Sequence, residues 1–133
     1  MNTFTEFHPT AQFVYNGDGI LVVTIKDDIE LTVNDIIDHR AIVKRIVGIQ
    51  PHAVLAIAGE RTQATGEARI YASTNIPEGR VAEAVIIRSL PVRIMGNFYL
   101  KFHKPNVPTR LFDDYEDAIK WLRAQLQLHA ARR

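Results

Sequence analysis

A chain of 133 residues with 47% apolar and 23% charged side chains has the length and composition of one globular domain that can bury a real core. The 16 Lys and Arg against 15 Asp and Glu leave a net charge of +1, which gives no global field to draw the chain to nucleic acid. With no cysteine, disulfides, thiolate metal sites and cysteine nucleophiles are excluded together, and the composition fits a cytoplasmic protein.

In chain order, residues 1–11 show no period and have neither a basic nor an apolar leader segment, so they read as a loose lead-in rather than a signal peptide. Phe13-Val14-Tyr15 is a short strand, and Asn16-Gly17-Asp18-Gly19 supplies the residues a tight hairpin turn needs. Ile20 to Ile25 follows without a charge, as a strand buried on both faces does. Thr32-Val33-Asn34-Asp35 predicts a capping box at the start of a helix. Its apolar positions Val33, Ile36, Ile37, Val43, Ile46 and Val47 repeat at helical spacing until Gly48 and Pro51 stop it. Ala53 to Ala58 is the next buried strand, and Thr65 to Ser73 a weaker helix. Val81 to Arg88 is a third apolar strand, and Ser89-Leu90-Pro91 opens a helix over 91–103. Phe98 to Phe102 also alternates like a strand, a competing signal. Thr109 to Phe112 is a final short strand. Asp113 to Glu116 caps a last helix with Tyr115, Ala118, Ile119, Leu122 and Leu126 on one stripe. Residues 128–133 read as a loose end.

The order β-β-α-β-α-β-α-β-α predicts an α/β domain, with a mostly parallel five-stranded sheet covered by helices. The longest apolar stretch, Val81 to Met95, is interrupted by Glu83, Arg88, Pro91 and Arg93, so no transmembrane segment is expected.

Few residues invite chemistry. No two histidines share a helical i, i+3 or i, i+4 spacing, so no metal site is predicted. His39 follows Asp35 by four residues, a pair that could offer two ligands but reads as a solvated helix face. Gly17-Asp18-Gly19 lacks the third glycine of a dinucleotide fingerprint, and Gly59-Glu60-Arg61-Thr62 lacks the spacing and lysine of a phosphate loop. The carboxylates cluster at Asp27, Asp28 and Glu30 and again at Asp113 to Asp117, the second group being a helix-start device. No catalytic residues and no cofactor emerge, and the chain reads as a binding or regulatory module rather than an enzyme.

Between Glu83 and Asp113 there is no acidic residue, while Arg88, Arg93, Lys101, Lys104 and Arg110 all fall there. Arg93, Asn97, Lys101 and Lys104 form one polar stripe on the predicted helix, away from Met95, Phe98 and Phe102. The stripe is a candidate site for an anionic group or lipid head. Its ordinary reading is a solvated outer face.

Arg93-Ile94-Met95-Gly96-Asn97-Phe98-Tyr99-Leu100-Lys101-Phe102, then Lys104-Pro105-Asn106-Val107-Pro108-Thr109, then Leu111 to Leu122, resemble the STAS-like (SpoIIAA-like) bacterial domains, which include the anti-sigma-factor antagonists. The likeness spans residues 12–127 and implies a SpoIIAA-like fold. It also implies a module that binds an unknown protein partner or an apolar anionic ligand, and it is compatible with a homodimer. In the antagonists, a serine preceded by aspartate opens the helix after a central strand and is phosphorylated. Here the matching stretch is Ala58-Gly59-Glu60-Arg61-Thr62-Gln63, with no Asp-Ser pair. Thr62 is the nearest hydroxyl and so the candidate phospho-switch position, with Thr65 next.

Overall fold

A computed structural model describes residues 3–102 and 104–132 of the chain. His103 and Arg133 lie outside the described residues, as does the side chain of Phe102.

Local sequence accounts for most elements. The uncharged run Ile20–Ile25 is strand β3, reached from β2 (Ala11–Tyr15) through a turn whose Gly17 and Gly19 both take positive φ. Before β2 lies β1 (Phe4–His8), so residues 4–8 are not a loose lead-in. β1 pairs antiparallel with β2 from Phe4↔Tyr15 to His8↔Ala11. It is an edge strand with aromatics on both faces, so it lacks the two-residue alternation that marks a half-buried strand. β4 (Glu30–Leu31) then leads into helix α1 (Val33–Val47), whose Thr32 hydroxyl accepts from the Asp35 amide while the Asp35 carboxylate accepts from the Thr32 amide. The predicted capping box is present.

β5 (His52–Ile57), the short β6 (Gln63–Ala64), α2 (Gly66–Thr74), β7 (Arg80–Ile86), α3 (Leu90–Phe102), β8 (Thr109–Phe112) and α4 (Tyr115–Ala131) complete the chain. α4 runs through residues 128–131, so that part of the C-terminus is helical rather than loose. The main sheet has six strands, not five, in the order β1-β2-β3-β5-β7-β8. β1, β2 and β3 pair antiparallel; β3, β5, β7 and β8 pair parallel. A separate parallel ladder joins β4 to β6 through Glu30↔Gln63 and Leu31↔Ala64. It sets the N-caps of α1 and α2, Thr32 and Thr65, side by side.

Each face of the sheet has its own core. Phe13, Leu21, Val23 and Val54 pack beneath Ile42, Val43 and Val47 of α1. On the other face Leu55, Ala82, Ala84 and Ile86 pack against Ala118 and Leu122 of α4. The alanines keep that interface thin, so the helix lies close to the strands. Among the described residues, no helix is long and apolar enough to cross a membrane.

Candidate functional site

α3 starts from Ser89, whose hydroxyl lies 3.4 Å from the Val92 amide; its main strand contact is with the outermost strand, β8, and the Arg69 guanidinium of α2 stands 5.9 Å from its Tyr99 ring. The close approach is at Gly96, where a Cβ would lie 2.6 Å from a methyl of Leu111. Only a narrow strip of the helix is covered as a result. The opposite side carries Leu90, Ile94, Met95 and Phe98, which are 57%, 59%, 72% and 65% exposed. Large apolar side chains gathered in one exposed patch are unusual on a monomer and mark interaction surfaces.

The polar stripe does not behave as one unit. Arg93 is turned inward, with its side chain 17% exposed. Its Nη1 donates to the carbonyls of Ile87 (2.8 Å) and Arg88 (3.3 Å), and its Nη2 lies 3.8 Å from Asp113 Oδ2. It clamps the helix start to the end of β7. Asn97 and Lys101 are exposed on α3. Lys104 is exposed too, but it lies past the end of the helix, in the connector to β8. The stripe therefore borders the exposed apolar patch, and what packs on the sheet is neither of them but the strip through Gly96.

Arg93 also forms one wall of an open cleft of about 400 Å³ between α3, β8 and the first turns of α4, where Arg110, Lys120, Asp113, Asp117 and Trp121 converge. The Trp121 ring lies 5.7 Å from that of Phe112, and the Arg110 guanidinium stands 5.0 Å above the same Phe112 ring. The cleft opens at the carboxyl end of a parallel strand, where ligands of open α/β sheets bind. Its cations and aromatic floor suit an anionic group with an apolar body.

Thr62 stands in the loop after β5, and its hydroxyl donates to the Lys26 carbonyl. The same loop is tied to the end of β3 by Arg61, which pairs with Asp28, and by the Glu60 amide, which donates to Asp27 Oδ1 at 2.7 Å. The Arg61 hydrogen bond holds the Asp28 carboxyl below its usual pKa range. A Cβ at Gly59 would overlap the Lys26 carbonyl, which explains the glycine there. Asp27 and Asp28 thus serve as loop fasteners. The hydroxyl that opens α2 belongs to Thr65, which accepts from the Ala68 amide at 3.0 Å. Thr62 is three residues upstream of the position the antagonist pattern requires.

His39 is buried, against the expectation of a solvated helix face. β1, β2 and the turn between them cover it: the Phe13 and His8 rings meet it edge-on at 5.2 and 5.0 Å, and its Nε2 lies 2.7 Å from Thr10 Oγ1. Burial, then the neighbouring His8, pushes its pKa down to about 4, so the ring is neutral near pH 7. His8, Asp35 and Asp38 place ligand atoms within 4.8 Å of one another. The Thr10 amide donates to His8 Nδ1 at 3.1 Å, which leaves the proton on Nε2, facing Asp38 Oδ2 at 3.0 Å. That nitrogen is a hydrogen-bond donor to Asp38, not a lone pair offered to a metal, and Asp35 is occupied in the capping box.

Sequence reasoning missed a buried polar cluster of Arg40, His52, Arg80 and Glu83. Its signal was Arg80 and Glu83 within an otherwise apolar strand.

Residues 13–126 match the model of a family described as Domain of unknown function (DUF7793). The chain belongs to this family. No curated protein matches it. Among solved structures it is similar to an uncharacterised DUF3478-family protein with a SpoIIAA-like fold from Shewanella loihica PV-4. The TM-score is 0.55 at 14% identity, over 91% of this chain and 92% of the other. At that identity the likeness concerns the fold, and the DUF7793 chain has the SpoIIAA-like architecture that its element order implied.

Proposed function

We propose that the protein is a non-catalytic docking module of STAS-like type, which binds a protein partner through the exposed side of α3. The observation that carries this reading is the patch of Leu90, Ile94, Met95 and Phe98, four large apolar side chains more than half exposed on one helix. Amphipathic helices of monomers turn such a face inward. The carboxylates at the loop and helix starts support a non-catalytic role, since Asp27, Asp28, Asp35 and Asp114 are engaged in loop links and caps.

A second reading makes the same region a holder for an apolar anion. It is favoured by Arg110, Lys120 and the Trp121 wall of the neighbouring cleft, and by the lack of any acidic residue from 84 to 112. Photo-crosslinking separates the two. A benzophenone side chain at Met95 should give a discrete protein adduct in cells producing the chain, and the same group at Leu128, on α4, should not. Equal adducts at both positions would contradict the docking reading. Co-sedimentation with anionic vesicles, lost on reversing Lys101 and Arg110 to glutamate, would favour the second reading instead.

A further inference from the structure

Between α1, α2 and β7 lie two guanidinium groups and one carboxylate, and only one of the guanidinium groups pairs with it. The Arg80 side chain is 1% exposed; its Nη1 donates to Glu83 Oε1 at 2.7 Å and its Nε to His52 Nε2 at 3.1 Å. That second bond requires a bare Nε2, so the His52 proton sits on Nδ1, 2.8 Å from the Gln50 carbonyl. His52 is therefore neutral and offers no charge. Burial, the largest effect, also pushes its pKa down. Arg40, from α1, donates Nη2 to the Ala72 carbonyl at 2.9 Å. Among the described residues, its Nε is the buried side-chain nitrogen with no hydrogen-bond partner. Glu83 thus pairs with Arg80 and reaches Arg40 only through the longer-range attraction of its charge. A desolvated guanidinium is costly unless its charge and its donors are matched.

Arg40 also lines a cleft of about 240 Å³ between the C-terminal halves of α1 and α2. Lys44 stands one turn further along α1, Tyr71 and Asn75 face them from α2, and Val43 and Ile49 supply apolar wall. We propose that this cleft binds a small aliphatic carboxylate, its head on Arg40 and Lys44 and its short tail against Val43 and Ile49. One negative charge balances the surplus guanidinium, and a planar carboxylate matches the guanidinium fork. The volume lies below the range of drug-sized pockets, which limits the ligand to a few heavy atoms. The carbonyl ends of α1 and α2 meet at the same place and oppose an anion. They are already engaged: Lys44 O by the Gly48 amide, Tyr71 O by the Asn75 amide, and Ala72 O by Arg40 itself. Glu78, also on the lining, is exposed and screened by solvent.

The test is a titration with sodium butyrate, followed in proton–nitrogen correlation spectra at the Arg40 Nε–H and the Asn75 side-chain amide, with sodium chloride at equal ionic strength as reference. Butyrate should move both signals saturably, and Lys44→Glu should weaken the apparent affinity by about tenfold. Lys44 is exposed, so that variant keeps its fold even where Arg40→Lys does not. Shifts no larger than those from chloride would overturn the proposal. So would a butyrate response indifferent to Lys44→Glu.

Discussion

Arg93 and His39 are both polar residues on helices, and both turn inward for reasons that lie outside their own helix. Arg93 reaches the carbonyls of Ile87 and Arg88 where β7 gives way to α3. Arg93→Ala should cost about 1–3 kcal/mol in urea denaturation, because it leaves the Ile87 and Arg88 carbonyls without their donor. Arg93→Lys should recover only part of this, since one ammonium nitrogen that holds the two carbonyls cannot also reach toward Asp113, as the second guanidinium nitrogen does. His39 makes stability depend on pH. Its folded pKa, about 4, lies below the ordinary histidine value, so the unfolded chain binds the proton more readily. Stability should therefore fall as pH drops through about 6.5. It should go on falling down to about pH 4. His39→Gln should flatten the dependence in that window, read as the urea midpoint against pH. Neither inward turn was visible in sequence. The spacing from Asp35 put His39 beside a capping residue, but its cover comes from Phe13 of β2 and from β1, a strand with no period of its own. Arg93 looked like the head of a solvated stripe because periodicity records which residues share a face, not which face meets the sheet.

The helices and central strands were the most legible elements, since each carries its start and stop signals locally. Thr32 and Asp35 announced α1, and the capping box is there. Thr32→Ala should cost about 1 kcal/mol, and an unchanged denaturation midpoint would show that the cap contributes nothing. β3, β5 and β7 were legible as largely apolar runs, β7 with only Arg80 and Glu83 breaking it, because strands covered on both faces admit few polar residues. β1, β4 and β6 were not. The last two have two residues each and exist through their partner rather than through propensity. α3 was placed correctly along the chain, with Pro91 in its first turn, and the strand-like alternation of Phe98 to Phe102 lost. Its orientation followed from topology. β8 is the last strand of the sheet, so α3 has one strand to lie on and rests on it through Gly96.

At the scale of the molecule, the parallel half of the sheet is packed on both faces, by α4 on one side and by α1, α2 and α3 on the other, and the layer ends at α3. A fold whose α3 shields little of the sheet can offer that helix to something else, and Arg88 before it and Lys104 after it add attraction for anions. The SpoIIAA-like architecture was legible in the element order. The apolar patch was not, because a Met and aromatic face on a helix reads as core until the sheet edge is located. A docking surface on α3 requires that patch to be solvent-exposed in the folded chain. Urea denaturation of the Ile94→Ser, Met95→Ser double variant tests this most directly. Side chains that cover no neighbour should leave stability within about 0.5 kcal/mol of the parent. A loss of about 2 kcal/mol or more, the cost of emptying a packed site, would place this face in the core and contradict the docking surface.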